Sequence, residues 1–87
     1  MSSHNTTIKD YKSAKELAID LSNLRYDVLA EILKELSNKL EIDAEKDLNR
    51  GRENLHHRLI NASLKVADGY EEISKAWKIC KPYEDTL

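Results

Sequence analysis

The side chains best equipped for chemistry gather between Glu53 and His57, in the stretch "ENLHH". Imidazoles shuttle protons near neutral pH, ligate metals and accept phosphoryl groups. Glu53 and His56 stand three residues apart, and on a helix that spacing projects both from one face. Carboxylate-rich di-metal bundles use this Glu-x-x-His arrangement. If the chain folds back near residues 41–43, positions summing to about 84 lie level across the hairpin. Glu31 then stands opposite Glu53, and two copies would supply the full carboxylate and imidazole set. This defines an alternative metal site at Glu31, Glu53 and His56.

His57 suggests a second chemistry. "LHHRLIN" resembles the phospho-acceptor box of one histidine-kinase class, in which His-His-Arg is followed shortly by Asn on the dimerisation helix. "HRLINAS" is similar to the acceptor segment of histidine phosphotransfer domains at His57, Leu59, Ala62 and Ser63. The resemblance implies His57 as phospho-acceptor. It departs from the pattern at Ile60, where a Lys near the phosphate is expected, and at Asn61, where a Gly leaves room for the receiver. A simpler reading needs no chemistry. Neighbouring helical residues point about 100° apart, so His56 edges an apolar face beside Leu55 and Leu59 while His57 meets solvent.

Other reactive arrangements are missing from the sequence. There is no Gly-rich phosphate loop, and Cys80 is the single cysteine, at a position where a thiol acts as a small hydrophobe. One thiol suits a reducing compartment. "MSSHNTTIKDYK" has neither the basic nor the apolar region of a secretion signal, and no long apolar run follows. We therefore expect a cytoplasmic protein with no membrane contact, in which the Asn5 and Asn61 sequons are incidental. The net charge is −2 and the pI about 5.9, with both signs interspersed. Arg50, Arg52 and Arg58 make a basic spot too small for the electrostatic footprint of a nucleic-acid binder.

The elements that must position these residues are helices. Two glycines, one proline and 34% charged residues leave little punctuation for a sheet. We expect one all-α domain over residues 1–87: a flexible start at 1–6, helix 1 over 7–41 capped by Thr6 or Thr7, helix 2 over 44–81, and a loose tail at 82–87 after Pro82. The turn is expected at "LEID", with Asp43 as the next cap. The competing turn is "LNRGREN", with a left-handed Gly51 and Asn54 as cap, giving a break near 49–53. A short third helix over 44–50 lies between these readings.

Both arms are amphipathic. On the first, Leu17, Leu21, Leu24 and Val28 form a stripe that shifts to Leu29, Ile32, Leu33, Leu36 and Leu40, fanning over roughly 160°. On the second, Leu59, Val66, Ile73 and Cys80 recur every seven residues beside Leu55, Ala62, Gly69 and Ala76, with Tyr70 and Trp77 on the flank. A lone hairpin leaves such faces half wet, so two copies should pair into a four-helix bundle. The expected interface comprises Leu17, Leu21, Leu24, Val28, Ile32 and Leu36 from the first arm. Leu55, Leu59, Ala62, Val66, Gly69, Ile73, Ala76 and Trp77 supply the second. Ile8, Ile19, Tyr26 and Ala30 point the other way, as candidate contacts for a different protein. The function expected is a non-enzymatic, homodimeric interaction or regulatory module without a cofactor. The alternatives are phosphotransfer through His57 and the di-metal site.

Overall fold

Ser13 opens the first helix. Its Oγ accepts a hydrogen bond from the Glu16 backbone N–H at 3.1 Å, and Glu16 places a negative charge in the first turn. This Ser-x-x-Glu start fixes α1 at Ala14–Ser22. The computed structural model describes residues 4–86, all helical or irregular, with no strand among them. After α1 come α2 (Tyr26–Asn49), α3 (Glu53–Cys80) and a 3₁₀ turn over Lys81–Thr86.

The single helix expected over 7–41 is therefore two, for local reasons. Thr6, Thr7 and Ile8 are β-branched and do not nucleate a helix, and Asp10 takes a left-handed φ of 71°. At the other end of α1, the Ser22 hydroxyl donates to the Ile19 carbonyl at 2.8 Å, and Asn23 ends the helix. Asp27 then restarts it, accepting from the Val28 backbone N–H at 2.9 Å and from the Arg25 guanidinium at 2.7 and 2.9 Å.

The turn expected at 41–43 does not form. Asp43 stays inside α2, paired with Lys39 one turn back, and Ala44, Glu45 and Lys46 are good helix formers that carry the helix on to Asn49. The chain reverses at Gly51, whose φ of +77° is the conformation a glycine tolerates. The Gly51 N–H donates to the Leu48 carbonyl (3.0 Å) and the Arg52 N–H to the Asp47 carbonyl (2.8 Å), closing α2 in a Schellman motif. Arg52 also reaches the buried Asp47 carboxylate at 3.4 Å. Asn54 does not cap α3: Arg52 holds the cap position without a side-chain bond.

Of the expected flexible start, residues 1–3 lie outside the described residues, and 4–6 are non-helical. The expected loose tail is a 3₁₀ turn as far as Thr86, because Pro82 fits a first turn, where its missing N–H is not needed. Leu87 lies outside the described residues.

Moving the turn to Gly51 resets the hairpin. Ser37 now faces Ser63, and Ala44 faces His56. The line along which α2 meets α3 is Ala30, Ser37 and Ala44, each under 9% exposed and each seven residues from the next. Ala30, expected on the outward side, is in the contact instead. Such small side chains let the backbones approach toward the close end of the usual 8–10 Å range. Ser37 Oγ donates to the Ser63 carbonyl (2.9 Å) while Ser63 Oγ donates to the Ser37 carbonyl (2.8 Å), a reciprocal clasp that fixes register.

α1 stands apart. None of its residues is buried, and it makes no extensive contact with either hairpin helix. Arg25, just after α1, lies with its guanidinium 5.3 Å from the centre of the Trp77 ring, and His4, at the start of the arm, comes near Asp43 of α2. The segment before α1 folds back so that Asp20 comes beside Tyr11, and the carboxylate raises the phenol above its ordinary value.

Candidate interaction surface

The structure assigns the histidines ordinary surroundings. His56 is half-buried, with Nδ1 2.8 Å from the Ala44 carbonyl oxygen; because a carbonyl only accepts, the ring proton sits on Nδ1. His57 is exposed, its ring 5.5 Å from that of His56 and tilted against it. Glu53 is exposed in the first turn of α3. Glu31 is exposed on α2, level with Gly69 rather than with Glu53. The two carboxylates stand about 24 Å apart along the hairpin at 1.5 Å per residue. The pairing that assumed a turn at 41–43 is thus undone. No group of three or more potential ligands from His, Cys, Asp and Glu converges among the described residues. A hollow of about 480 Å³ is lined by the N-terminal segment, including Thr7, Ile8, Tyr11 and Leu17.

The feature that does stand out is the division of the hairpin into two unlike broad faces. Ser37 and Ser63 mark where the helices face each other. At 100° per residue, positions on the same rotational side of these two serines emerge on the same side of an antiparallel pair. One side receives Leu29, Leu33, Leu36 and Leu40 from α2 and Leu59, Val66 and Ile73 from α3, with Leu55 near the turn. The small residues Ala62, Gly69 and Ala76 lie along its α3 edge. Charge enters this face only at its ends, through Asp43, Asp47 and Arg58 near the turn and Arg25 at the open end. The other side carries Glu31, Lys34, Glu41 and Glu45 from α2 and Glu53, Glu71 and Lys78 from α3, interrupted by Ile42, Ile60, Leu64 and Ala67.

Little of the apolar face is covered. Leu36 is 46% exposed and Leu55 44%, while Leu59, Val66 and Ile73 are half-buried. Among the described residues the only buried apolar side chains are two alanines, and no large side chain is fully buried. Whole-molecule dimensions agree. The accessible surface is 7351 Å², against about 5,200 Å² for a compact monomer of this mass. The radius of gyration is 15.8 Å, against about 12 Å for a compact chain of this length. The body measures 52 × 29 × 13 Å.

The expected interface residues divide accordingly. Ile32, Leu36, Leu55, Leu59, Ala62, Val66, Gly69, Ile73 and Ala76 fall on or at the rim of the apolar face. Trp77 lies closer to the helix–helix contact, beneath Arg25. Val28 is exposed on the outer edge of α2. Leu17, Leu21 and Leu24 are half-buried on the N-terminal arm. Ile8, Ile19 and Tyr26 are exposed. The hydrophobic pattern missed the line that joins the hairpin, Ala30–Ser37–Ala44 with Ser63, because small and polar residues add nothing to an apolar stripe. Their seven-residue spacing was the available signal.

No protein family, curated protein or solved structure matches the chain. No helix among the described residues is long and apolar enough to cross a membrane.

Proposed function

We propose that the protein is a non-enzymatic helical module that works as a homodimer, two hairpins closing over their apolar faces into a four-helix bundle and presenting their charged faces to a partner protein. The observation that carries this reading is the open leucine-rich face on a chain in which, among the described residues, no large side chain is fully buried. The accessible surface exceeds that of a compact monomer by about 2,000 Å², so each copy has ample area for a specific interface. Such interfaces bury about 800 Å² per partner. The single thiol, Cys80, is half-buried at the end of this face and suits a reducing compartment.

Light scattering at low micromolar concentration tests the reading. The expected mass is twice the 10.0 kDa of the chain. Val66→Glu, which sets a charge in the middle of the apolar face, should halve that mass, whereas Leu64→Glu on the charged face should leave it intact. A wild-type monomer with full helicity overturns the reading.

A further inference from the structure

A homodimer closed over this face can be built in two ways, and the residues favour one. The two-fold axis lies in the interface, either along the helices, with both turns at the same end and α2 resting on the second copy's α3, or across them, with turns at opposite ends and each helix resting on its own copy. Resting on the preceding dimer reading, we infer that the second copy docks turn beside turn.

Side-chain size gives the first argument. α2 offers Ile32 and Leu36 to the interface, and α3 offers Gly69 and Ala62. Ile32 and Gly69 lie at nearly the same distance from the turn, and so do Leu36 and Ala62. With the turns together, Ile32 of one copy meets the second copy's Gly69 and Leu36 meets its Ala62, while Leu33 and Leu40 lie level with Val66 and Leu59, so large and small residues alternate along both sides of the interface. The crossed arrangement sets leucines against leucines on one side and alanine and glycine against themselves on the other, leaving an uneven gap.

Gly69 itself is the second argument. A glycine within a helix costs about 1 kcal/mol relative to alanine. Nothing in its own chain lies within 4 Å of where a Cβ would stand, so the chain's own packing does not require it. A second copy's Ile32 approaching that spot does.

Charge is the third. Asp43 and Arg58 also lie at nearly equal distances from the turn, on the rim of the same face. Arg58 has no ion pair within its chain among the described residues. Turn-beside-turn docking brings it to the second copy's Asp43, which already holds Lys39 and lies near His4. The crossed arrangement offers Asp43 only Arg25, which Asp27 grips with two hydrogen bonds. The face is about 40 Å long and 20 Å wide at standard helix dimensions. Two such faces bury about 1,600 Å², the size of a standard specific interface.

Spin labels placed at the turn read the arrangement directly. In the full chain carrying Cys80→Ser and Asn49→Cys, turn-beside-turn docking predicts a label separation of about 20–30 Å, and the crossed form about 45–50 Å. The short distance supports the inference. The long distance overturns it and leaves the dimer standing. A monomeric mass with no dipolar coupling overturns the dimer on which it rests. Gly69→Ala gives an independent readout: the added methyl should strengthen the helix yet weaken dimerisation about tenfold. Unchanged or tighter dimerisation would count against close docking at Gly69.

Discussion

The N-terminal arm and the α2–α3 hairpin start from similar material and end differently. Both are amphipathic helical segments with leucines at helical spacing, yet no residue of α1 is more than half-buried, whereas the hairpin holds together along most of its length. The difference lies in the small residues. Ala30, Ser37 and Ala44 recur every seven residues on α2 and meet Ser63 on α3, so the helices close until each serine hydroxyl donates to the facing helix's backbone carbonyl. α1 has no such line and is nine residues long, too short to be stable alone. Leucine periodicity thus marks which faces seek cover, while small residues in register decide which helices meet.

The sharpest way to break this contrast is Ser37→Leu. The larger side chain overpacks a position 7% exposed and removes one half of the serine clasp. A loss of about 3 kcal/mol in urea-unfolding stability follows from overpacking and the lost hydrogen bond together. Leu21→Ala in the arm removes a far larger apolar group but should change stability by less than about 1 kcal/mol, because the residue is half exposed on a peripheral helix. Equal losses from the two variants would dissolve the distinction between the regions.

A smaller effect tests the turn that sets the hairpin's register. Gly51 sits at φ +77° with open space where a Cβ would go, so Gly51→Ala meets no clash and incurs only the left-handed backbone penalty. That penalty is about 1–2 kcal/mol, and Gly51→Asn should recover part of it. If Gly51→Ala proves neutral, the Schellman closure is not what holds the register.

The all-helical class and the amphipathic faces were legible in the sequence because both follow from composition and periodicity. The path of the chain was not. Two turns competed, and the preferred one rested on Asp43 as a cap, but a Lys39–Asp43 pair and a run of strong helix formers outweighed it. The correct signal was Gly51, the residue that tolerates the left-handed conformation the reversal needs. That single choice moved Glu31 about 24 Å away from Glu53, and the constellation built on their pairing went with it. The histidines fared better, since one half-buried and one exposed imidazole follow from the angle between adjacent helical residues. Ser22–Asn23, where the long first helix divides, was invisible to hydrophobic counting because the cause is local hydrogen bonding.

The smallest expected effect concerns the joint between the two regions, and the chain carries its own probe there. Trp77 is the only tryptophan, and Arg25 lies over its ring while holding Asp27. The hydrogen bonds from Arg25 hold the Asp27 carboxyl below its ordinary value of 3.8. A carboxylate whose folded pKa is depressed contributes stability that is present above its unfolded value and is lost as pH falls through the folded one. Acid titration should therefore release Arg25 and shift Trp77 emission below pH 3.8, in a step separate from loss of helical circular dichroism, because the serine clasp carries no titratable group. Asp43 is depressed in the same way by Lys39, but its distance from Trp77 keeps it out of this signal. Asp27→Asn should remove the acid step and give the shifted emission already at neutral pH. A fluorescence change that coincides with global unfolding in both proteins would mean that arm and hairpin melt as one body, and the contrast drawn between them would not hold.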